Sequence, residues 1–235
     1  MTFPGIEEYK YKIETHCHSK PVSGCADFEA ESVVEKYKAI GFDGIVLTNH
    51  LISSDLSREN KEEAVKWYLS DYHKAKAKGD EIGLKVYLGM EIRFANVNIN
   101  DYLVYGITEE DIYKAVDYLE GDLETFYKGF KNDKNVIFQA HPHRAGCQPE
   151  GPEFLDGYEA FNMHQSHNQS NGFSIEFAKK TPGFLMCGGS DFHHEGHQGT
   201  IGMVTKYLPE TGIEVADILK KQDFLLNYKG SIIIP

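Results

Sequence analysis

The stretch Tyr9-Lys-Tyr-Lys-Ile-Glu-Thr-His-Cys-His18 predicts a short β-strand over residues 9–15 that runs into a pair of histidines. A helix is predicted next, over residues 27–40, because apolar residues recur there at helical spacing. The strand that follows, Ile45-Val-Leu-Thr48, again ends close to a histidine, His50. A strand–helix–strand unit of this kind is typical of parallel α/β proteins.

The same alternation of strands and helices continues to the end of the chain. One helix is predicted to begin near Ser57 and to run to about residue 78. The stretch Thr108-Glu-Glu-Asp111 resembles a capping box and predicts the start of another helix. Residues 144–157 are rich in Gly and Pro, which predicts a loop. Further strands are predicted at residues 85–94, 102–107, 136–139, 158–161 and 184–187, extended segments at 200–207 and 230–235, and helices at 174–180 and 214–221.

Length and composition favour a single cytoplasmic domain. The 235 residues fit one α/β barrel domain that spans residues 1–235. The net charge of −12 disfavours a nucleic acid duplex as a partner, because duplex binding depends on clustered Lys and Arg. No apolar run is long enough for a membrane helix, the first residues do not resemble a signal peptide, and the scattered cysteines are expected to be free thiols. The oligomeric state is left open.

All but one of the eleven histidines fall into groups near predicted strand ends. Imidazole binds transition metals and exchanges protons near neutral pH, so this grouping favours a metal site or an acid–base site. In parallel α/β barrels the C-terminal ends of the strands face a common mouth. The groups are therefore expected to converge on one site. They lie at residues 16–18, 50, 141–143, 164–167 and 193–197, and His73 stands apart.

Two carboxylates accompany these histidines. Glu91 lies in the apolar stretch Leu88-Gly-Met-Glu-Ile92, where a buried charge costs several kcal/mol unless a cation or a partner compensates it. We therefore interpret Glu91 as a bridging metal ligand rather than as half of a buried salt bridge. In Gly188-Gly-Ser-Asp191-Phe-His193, small residues allow a tight turn that presents Asp191 and His193 together.

Two candidate substrate-binding residues follow the strand that ends at His141. His143 and Arg144 come directly after Pro142, at the start of the predicted loop. A guanidinium beside a metal centre is well shaped to hold two oxygens of a phosphate group. We therefore predict that Arg144 and His143 bind substrate, with an ordinary exposed loop as the alternative.

Six short motifs occur in one order along nearly the whole chain. They are His16-Cys-His18, Thr48-Asn-His50, Gly89-Met-Glu91, His141-Pro142, Glu159-Ala-Phe-Asn162 and Gly189-Ser-Asp191-Phe-His193. Each motif is weak alone, but their order and rough spacing together resemble the PHP (polymerase and histidinol phosphatase) domain family.

The resemblance implies an α/β fold of the distorted (β/α)7 TIM-like barrel type. It also implies a metal-dependent phosphoesterase that hydrolyses a phosphate ester of a small molecule with a metal-activated water. Two or three divalent ions of zinc, manganese or iron would be bound. Their ligands would be His16, His18, His50, Glu91, His141, His164, Asp191 and His193, with catalytic roles for Asp191, His193 and Glu91.

Three positions depart from the family pattern. Asn49 stands where the family often has Asp, and Glu14 stands where it often begins with Asp. The stretch Ser23-Gly-Cys-Ala-Asp27 replaces an acidic motif that commonly supplies a ligand. Either Cys25 or Asp27 could take that role: a thiolate would favour zinc, whereas a carboxylate would leave manganese or iron open.

Two other functions are compatible with these residues. An amidohydrolase-type barrel that cleaves C–N bonds also begins with His-x-His and ends with an Asp, although Glu91 and His193 fit the phosphoesterase pattern better. A metal-binding regulatory module without catalysis is the second alternative. For a phosphoesterase, the leaving oxygen needs a proton, for which His194 and His143 are both candidates.

Overall fold

Twelve strands and six α-helices alternate along the part of the chain that the structure describes. The computed structural model describes residues 5–53, 60–95 and 97–235, so the predicted helix start at Ser57 lies outside the described residues. The strands are β1 (Tyr11–Cys17), β2 (Gly44–Leu47), β3 (His50–Leu51), β4 (Lys85–Leu88), β5 (Met90–Ile92), β6 (Tyr102–Tyr105), β7 (Val136–Gln139), β8 (Gly157–Asn162), β9 (Leu185–Gly189), β10 (Ile201–Thr205), β11 (Leu225–Tyr228) and β12 (Ser231–Ile233).

Four of the six described α-helices begin with a side-chain capping interaction. The Asn60 side chain accepts a hydrogen bond from the Glu63 N–H, and the helix it caps ends where Gly83 adopts a φ of 75°. The predicted capping box is present, since the Asp111 carboxylate accepts a hydrogen bond from the Thr108 N–H at 2.9 Å. The helices are α1 (Ala30–Ala39), α2 (Lys61–Ile82), α3 (Glu109–Ala115), α4 (Leu123–Phe130), α5 (Asn171–Lys180) and α6 (Gly212–Lys221), with 3-10 turns at Ile6–Glu8 and Val116–Tyr118.

The strands form two mixed six-stranded sheets. One sheet has the order β12-β11-β10-β1-β2-β4, and the other has the order β3-β5-β6-β7-β8-β9. The parallel neighbours are β1, β2 and β4 in the first sheet, and β3 with β5 and β7, β8 and β9 in the second. In contrast, β6 runs antiparallel to both of its neighbours, and β10 runs antiparallel to β1. The α/β class predicted from the sequence is confirmed.

A glycine divides one predicted strand between the two sheets. Residues 85–94 are predicted as a single strand, but the structure breaks it at Gly89 into β4 and β5. A side chain at this glycine would press against Val46 Cγ1 and Thr48 Cγ2, at 2.8 and 2.9 Å. The chain therefore passes close to β2 as it changes sheet, and Glu91 enters the second sheet beside His50.

The two sheets also meet on their other side. Strand β1 packs against β9, and Cys17 forms an isolated parallel bridge with Phe192. Gly189 allows this close approach, because a side chain there would collide with His16. Within the described residues the strand pairs form two sheets and not one closed ring, so the distorted seven-stranded barrel stays a prediction.

The helices cover these sheets with apolar faces. On α1 the buried residues Ala30, Val33, Val34 and Tyr37 recur at helical spacing, as the sequence pattern predicts. They belong to an apolar cluster that includes Phe192. Among the described helices, none combines the length and the apolar character needed to cross a membrane.

Candidate metal centre

The two histidines at the end of β1 are buried with their ring nitrogens close together. The Nε2 atoms of His16 and His18 are 3.0 Å apart. The Nδ1 atom of His16 is 2.7 Å from Glu159 Oε1, and the Nδ1 atom of His18 is 3.1 Å from Ser23 Oγ. Because each Nδ1 has its own partner, each Nε2 faces a common centre.

Glu91 on β5 lies between imidazoles that come from different strand ends. Its Oε1 is 3.4 Å from His16 Nε2 and 3.2 Å from His141 Nε2. Its Oε2 is 3.2 Å from His18 Nε2 and 3.0 Å from His50 Nδ1. Each oxygen therefore faces two imidazole nitrogens, which is a suitable geometry for a carboxylate that bridges two cations.

Asp191 follows β9 in the left-handed region, with a φ of 52°. This turn places its Oδ1 3.4 Å from His16 Nε2 and 3.5 Å from His18 Nε2. Its Oδ2 accepts hydrogen bonds from the guanidinium of Arg144 and from the amide of Asn162. One oxygen thus faces the histidines, while the other is held from the opposite side.

His193 joins the same cluster from the loop after β9. Its Nδ1 is 2.9 Å from the carbonyl oxygen of Asp191, an arrangement in which Nδ1–H donates and the lone pair lies on Nε2. Its ring centroid lies 4.2 Å from that of His18, and the ring centroid of His50 lies 4.5 Å from that of His18. These three imidazoles form one candidate set of ligands.

The distances between these donors fit metal coordination. Ligand atoms bound to one ion at about 2.0–2.2 Å lie about 3.0–3.5 Å from one another. The separations found here include 3.0, 3.2, 3.4 and 3.5 Å. Among the described residues, three sets of side chains bring their donor atoms within 4.8 Å of one another: His16, His18 and Asp191; His18, His50 and His193; and His50, Glu91 and Asp101.

Two buried atoms at the centre have no hydrogen bond within the described residues. They are His50 Nδ1 and Glu91 Oε2, which lie 3.0 Å apart. Although they are close, the two atoms do not form a hydrogen bond with each other, and burial has removed the water that would otherwise solvate them, which costs free energy. A divalent cation would coordinate both, so these residues fit a metal ion.

The charges of the side chains at the centre also favour a bound cation. Burial disfavours the charged form of His16, but the carboxylates beside the ring outweigh it and hold its pKa well above the ordinary value. At His193 burial again opposes protonation, yet hydrogen bonding to Asp191 raises the pKa to about 10. Burial opposes ionisation of Glu91 and Asp191, but the imidazoles hold their pKa values well below the usual range. Bound cations would supply this positive charge and leave the imidazoles neutral.

His164, predicted as a further ligand, has a different environment. Its ring is 5.3 Å from that of His193, and burial lowers its pKa to about 3. Its Nδ1 accepts a hydrogen bond from the Ser166 N–H at 3.2 Å, which leaves the ring proton on Nε2. In this arrangement His164 is a hydrogen-bond donor at the edge of the centre, and its role as a ligand stays a prediction.

The two predicted substrate-binding residues lie in different places. Arg144 lines the cavity of the centre, with its guanidinium on Asp191 and on the Gln169 amide oxygen. His143 is not among the residues that line this cavity, and its Nδ1 is 2.8 Å from Ser174 Oγ on α5. The structure therefore brings Arg144 to the centre and His143 to α5.

Asp101 is a candidate ligand that the sequence patterns did not indicate. It immediately precedes β6, and it forms a set of donors with His50 and Glu91. Because β6 runs antiparallel to β5, the start of β6 lies beside the end of β5. A search for side chains at C-terminal strand ends misses this position, and only the acidic residue directly before the strand could have indicated it.

Arg93 also lines the cavity and is attached to the same carboxylate. Its Nε and Nη2 atoms lie 2.7 and 2.6 Å from the two oxygens of Asp101, a bidentate ion pair. Arg93 and Arg144 therefore each reach the cavity while being held by an acidic side chain.

The structure separates the roles of Cys25 and Asp27. Cys25 lines the cavity beside His50 and His193. Burial raises the pKa of this thiol, but hydrogen bonds from the two histidines outweigh that effect and lower it to about 6. Asp27 instead accepts a hydrogen bond from His194 Nδ1 at 2.9 Å, at the exposed rim. Of the two candidates for the missing acidic ligand, only Cys25 faces the centre.

Glu14 and Asn49 support the centre without facing it. The carboxylate of Glu14 accepts hydrogen bonds from the N–H groups of His16 and Ser190, so it holds the backbone of β1 and β9 together. Asn49 Oδ1 accepts hydrogen bonds from the Ser19 N–H and from Ser23 Oγ, which in turn contacts His18.

Solved structures with the same architecture include one from Bacteroides vulgatus, a two-domain protein that contains a predicted PHP-like metal-dependent phosphoesterase. It matches 97% of this chain and 68% of its own length, at a TM-score of 0.67 and 17% identity. This chain has the fold of the PHP-like phosphoesterases. PsfC from Pseudomonas syringae matches 93% of this chain and 91% of its own, at a TM-score of 0.66 and 13% identity.

A third structure links this PHP-like fold to another reaction class. An amidohydrolase from Chromobacterium violaceum, solved with sulfate and without metal, matches 78% of this chain and 88% of its own at a TM-score of 0.50 and 14% identity. No family model and no curated protein matches the chain. At these identities the likeness concerns the fold, so the function has to be argued from the site.

Proposed function

We propose that this chain is a metal-dependent phosphoesterase and that residues 1–235 form one catalytic domain. The observation that carries the proposal is the position of Glu91, a buried carboxylate between two groups of imidazoles, beneath a cavity that two guanidinium groups line. The clustered imidazoles and carboxylates would bind cations. The guanidinium groups above them would bind an anion with several oxygens. A phosphate ester is the substrate that satisfies both demands.

The residues fall into sets for two or three divalent ions of zinc, manganese or iron. His16, His18 and Asp191 would hold one ion, His50, Glu91 and Asp101 another, with Glu91 also reaching His141. His193 and Cys25 would complete a further position beside His50. When bound, such ions lower the pKa of water and neutralise charge on phosphoryl oxygens.

The two arginines would hold the phosphoryl group in place. Arg144 is fixed by Asp191 and Arg93 by Asp101, so neither guanidinium needs to be ordered when substrate arrives. Preorganised donors of this kind stabilise the charge that develops on phosphoryl oxygens in the transition state. The same carboxylates that anchor the arginines face the candidate ligands.

His194 would donate a proton to the leaving oxygen. Its side chain lines the cavity, and its Nδ1 is held 2.9 Å from Asp27 Oδ2, which leaves Nε2 available. A carboxylate-held imidazole is a common general acid. His143, the other candidate from the sequence, is directed to Ser174 instead.

The substrate would be a small phosphorylated molecule rather than a nucleic acid duplex or a membrane surface. The cavity above the centre has a volume of about 200 Å³, enough for a phosphoryl group and its nearest atoms. A net charge of −12 disfavours long polyanions.

Turnover of a panel of phosphate mono- and diesters by the metal-loaded protein tests this function. The chain is expected to hydrolyse at least one class, and the chelated protein is expected to lose that activity and to regain it with added metal. A loaded protein that hydrolyses none of the esters would contradict the proposal.

One observation favours amide hydrolysis as a second candidate function. It is the amidohydrolase among the structures with this fold, at a TM-score of 0.50. Release of an amine from a panel of amides and lactams, with no phosphate release from esters, would reverse the assignment. A tightly bound single ion without any turnover would instead support the regulatory module.

A further inference from the structure

A second cavity opens beside the one above the metal centre. Its volume is about 890 Å³, which is in the range of sites that bind small organic molecules. His164 and His167 line both cavities, so the two share a wall. We call this second cavity the outer groove; it is formed by residues 162–165 and 167–173, Glu176, Thr200, Tyr228 and Lys229.

Two buried polar atoms of the outer groove have no hydrogen bond within the described residues. One is Oγ1 of Thr200, a residue that is only 5% exposed. The other is Oδ1 of Asn171, whose orientation is fixed because its Nδ2 donates to the Asn162 carbonyl at 2.8 Å. Buried polar atoms normally have partners, so both atoms indicate a ligand that supplies hydrogen-bonding groups.

The rim of the outer groove carries exposed aromatic rings. Phe173 is 64% exposed and Tyr228 is 37% exposed, and both line the groove. The ammonium of Lys229 lies 5.7 Å from the Tyr228 ring, while the carboxylate of Glu176 is on the same lining. The charges at the rim are therefore balanced, and the groove does not select a strongly charged group.

We propose that the outer groove binds the alcohol part of the substrate and that this part is a hydroxylated ring, as in a sugar phosphate. The inference rests on the proposed phosphoesterase function, since the phosphoryl group would occupy the cavity above the metal centre. Asn171 Oδ1 accepts only from a donor such as a hydroxyl group, and the Thr200 hydroxyl pairs with a hydroxyl in either direction. The apolar faces of the ring would pack on Phe173 and Tyr228.

A plain aromatic or aliphatic alcohol fits these features less well. Either would pack on the rim but would leave Thr200 Oγ1 and Asn171 Oδ1 without a hydrogen bond. A polyanionic group would be attracted by the ammonium of Lys229 but repelled by the carboxylate of Glu176. A neutral ring with several hydroxyl groups satisfies the polar atoms and the aromatic surfaces together.

The test compares Thr200→Val with the unchanged protein on two kinds of phosphate monoester. Valine has nearly the shape of threonine and lacks the hydroxyl, so kcat/KM for hexose, pentose or inositol monophosphates is expected to fall about tenfold, mainly through KM. Phenyl phosphate is expected to change by less than about twofold. Because this hydroxyl has no hydrogen-bond partner in the part of the chain that the structure describes, the melting temperature is expected to stay the same or to rise.

Thr205→Val, at the far end of the strand that Thr200 precedes, is the matched control. Its hydroxyl donates to the Tyr207 carbonyl at 2.6 Å, so its loss is expected to lower stability without changing the preference between esters. Equal effects of Thr200→Val on sugar phosphates and on phenyl phosphate would overturn the inference, as would a preference of the unchanged protein for phenyl phosphate.

Binding measured without turnover separates this inference from the proposed function. The sugar monophosphates are expected to slow amide hydrogen exchange in residues 163–173, and Thr200→Val is expected to reduce that protection. Protection without hydrolysis would contradict the phosphoesterase while retaining the groove. Hydrolysis without protection would retain the phosphoesterase and remove the groove.

Discussion

The metal centre and the outer groove are built from different parts of the fold. The centre takes His16, Glu91 and Asp191 from strand ends, and all three are buried. The groove takes most of its lining from the connection between β8 and α5 and from the turn after β11. Rigid strands hold charged donors at separations of about 3 Å, which metal binding requires, whereas connecting segments suit recognition of a variable group.

The contrast predicts that changes at the centre are the most damaging. Asp191→Asn keeps the shape but removes the charge that faces His16 and His18, so we expect activity to fall at least about a thousandfold. Elemental analysis is expected to show fewer bound metal ions, and circular dichroism an intact fold. Full activity with a normal metal content would remove Asp191 from the centre.

A change behind the centre is expected to act on stability. Asn49→Asp would place a second carboxylate beside Asp71, since Asn49 Nδ2 lies 3.4 Å from Asp71 Oδ2 in a buried site. Burial already raises the pKa of Asp71. We expect the free energy of unfolding to fall by about 3 kcal/mol, measured by urea denaturation at neutral pH.

The matched variant for that change is Asn49→Asp combined with Asp71→Asn. It exchanges the amide and the carboxylate, and it is expected to recover most of the lost stability. The penalty of Asn49→Asp alone should shrink as the pH falls, because protonation of a carboxyl with a raised pKa removes the repulsion. A penalty that is independent of pH and of Asp71 would contradict this account.

A smaller effect is expected where a carboxylate only orients a ligand. Glu159→Gln replaces the charge that holds His16 Nδ1 at 2.7 Å, and such outer partners typically contribute about 10–100-fold to metal affinity. Titration of the protein with metal in the presence of a competing chelator measures the metal affinity. Glu176→Gln, an exposed change on α5, is the control and should leave the affinity unchanged.

The smallest effect is expected at the mouth, where Cys25 is exposed. Burial opposes ionisation, but hydrogen bonds from His193 and His50 lower the pKa of this thiol to about 6. Deprotonation increases as the pH rises through that value, so alkylation by iodoacetamide should be roughly tenfold faster than for an ordinary thiol at neutral pH. Bound metal should slow the reaction, and Cys25→Ser should abolish the fast phase. A fast phase that persists in Cys25→Ser would assign the reactivity to another cysteine.

Predictability differed between the centre and its surroundings for a physical reason. The sequence could predict that His16, His18, Glu91 and Asp191 lie together, because charged or metal-binding side chains in apolar strands are costly to bury without a partner. Asp101 was missed because its strand runs antiparallel, which brings a strand start to the mouth. His143 and Arg144 are adjacent in sequence, yet the turn sends one to Ser174 and the other to Asp191.

The amino-acid sequence by itself determined the α/β alternation, the residue types of the centre and their places at strand ends, because these follow from periodicity and from the cost of burying charge. Only the tertiary structure decided how the strands divide at Gly89, that Cys25 and not Asp27 faces the centre, and that the Thr200 hydroxyl lies in a groove without a hydrogen bond to any described residue. Those outcomes depend on contacts between distant segments, which local patterns do not encode.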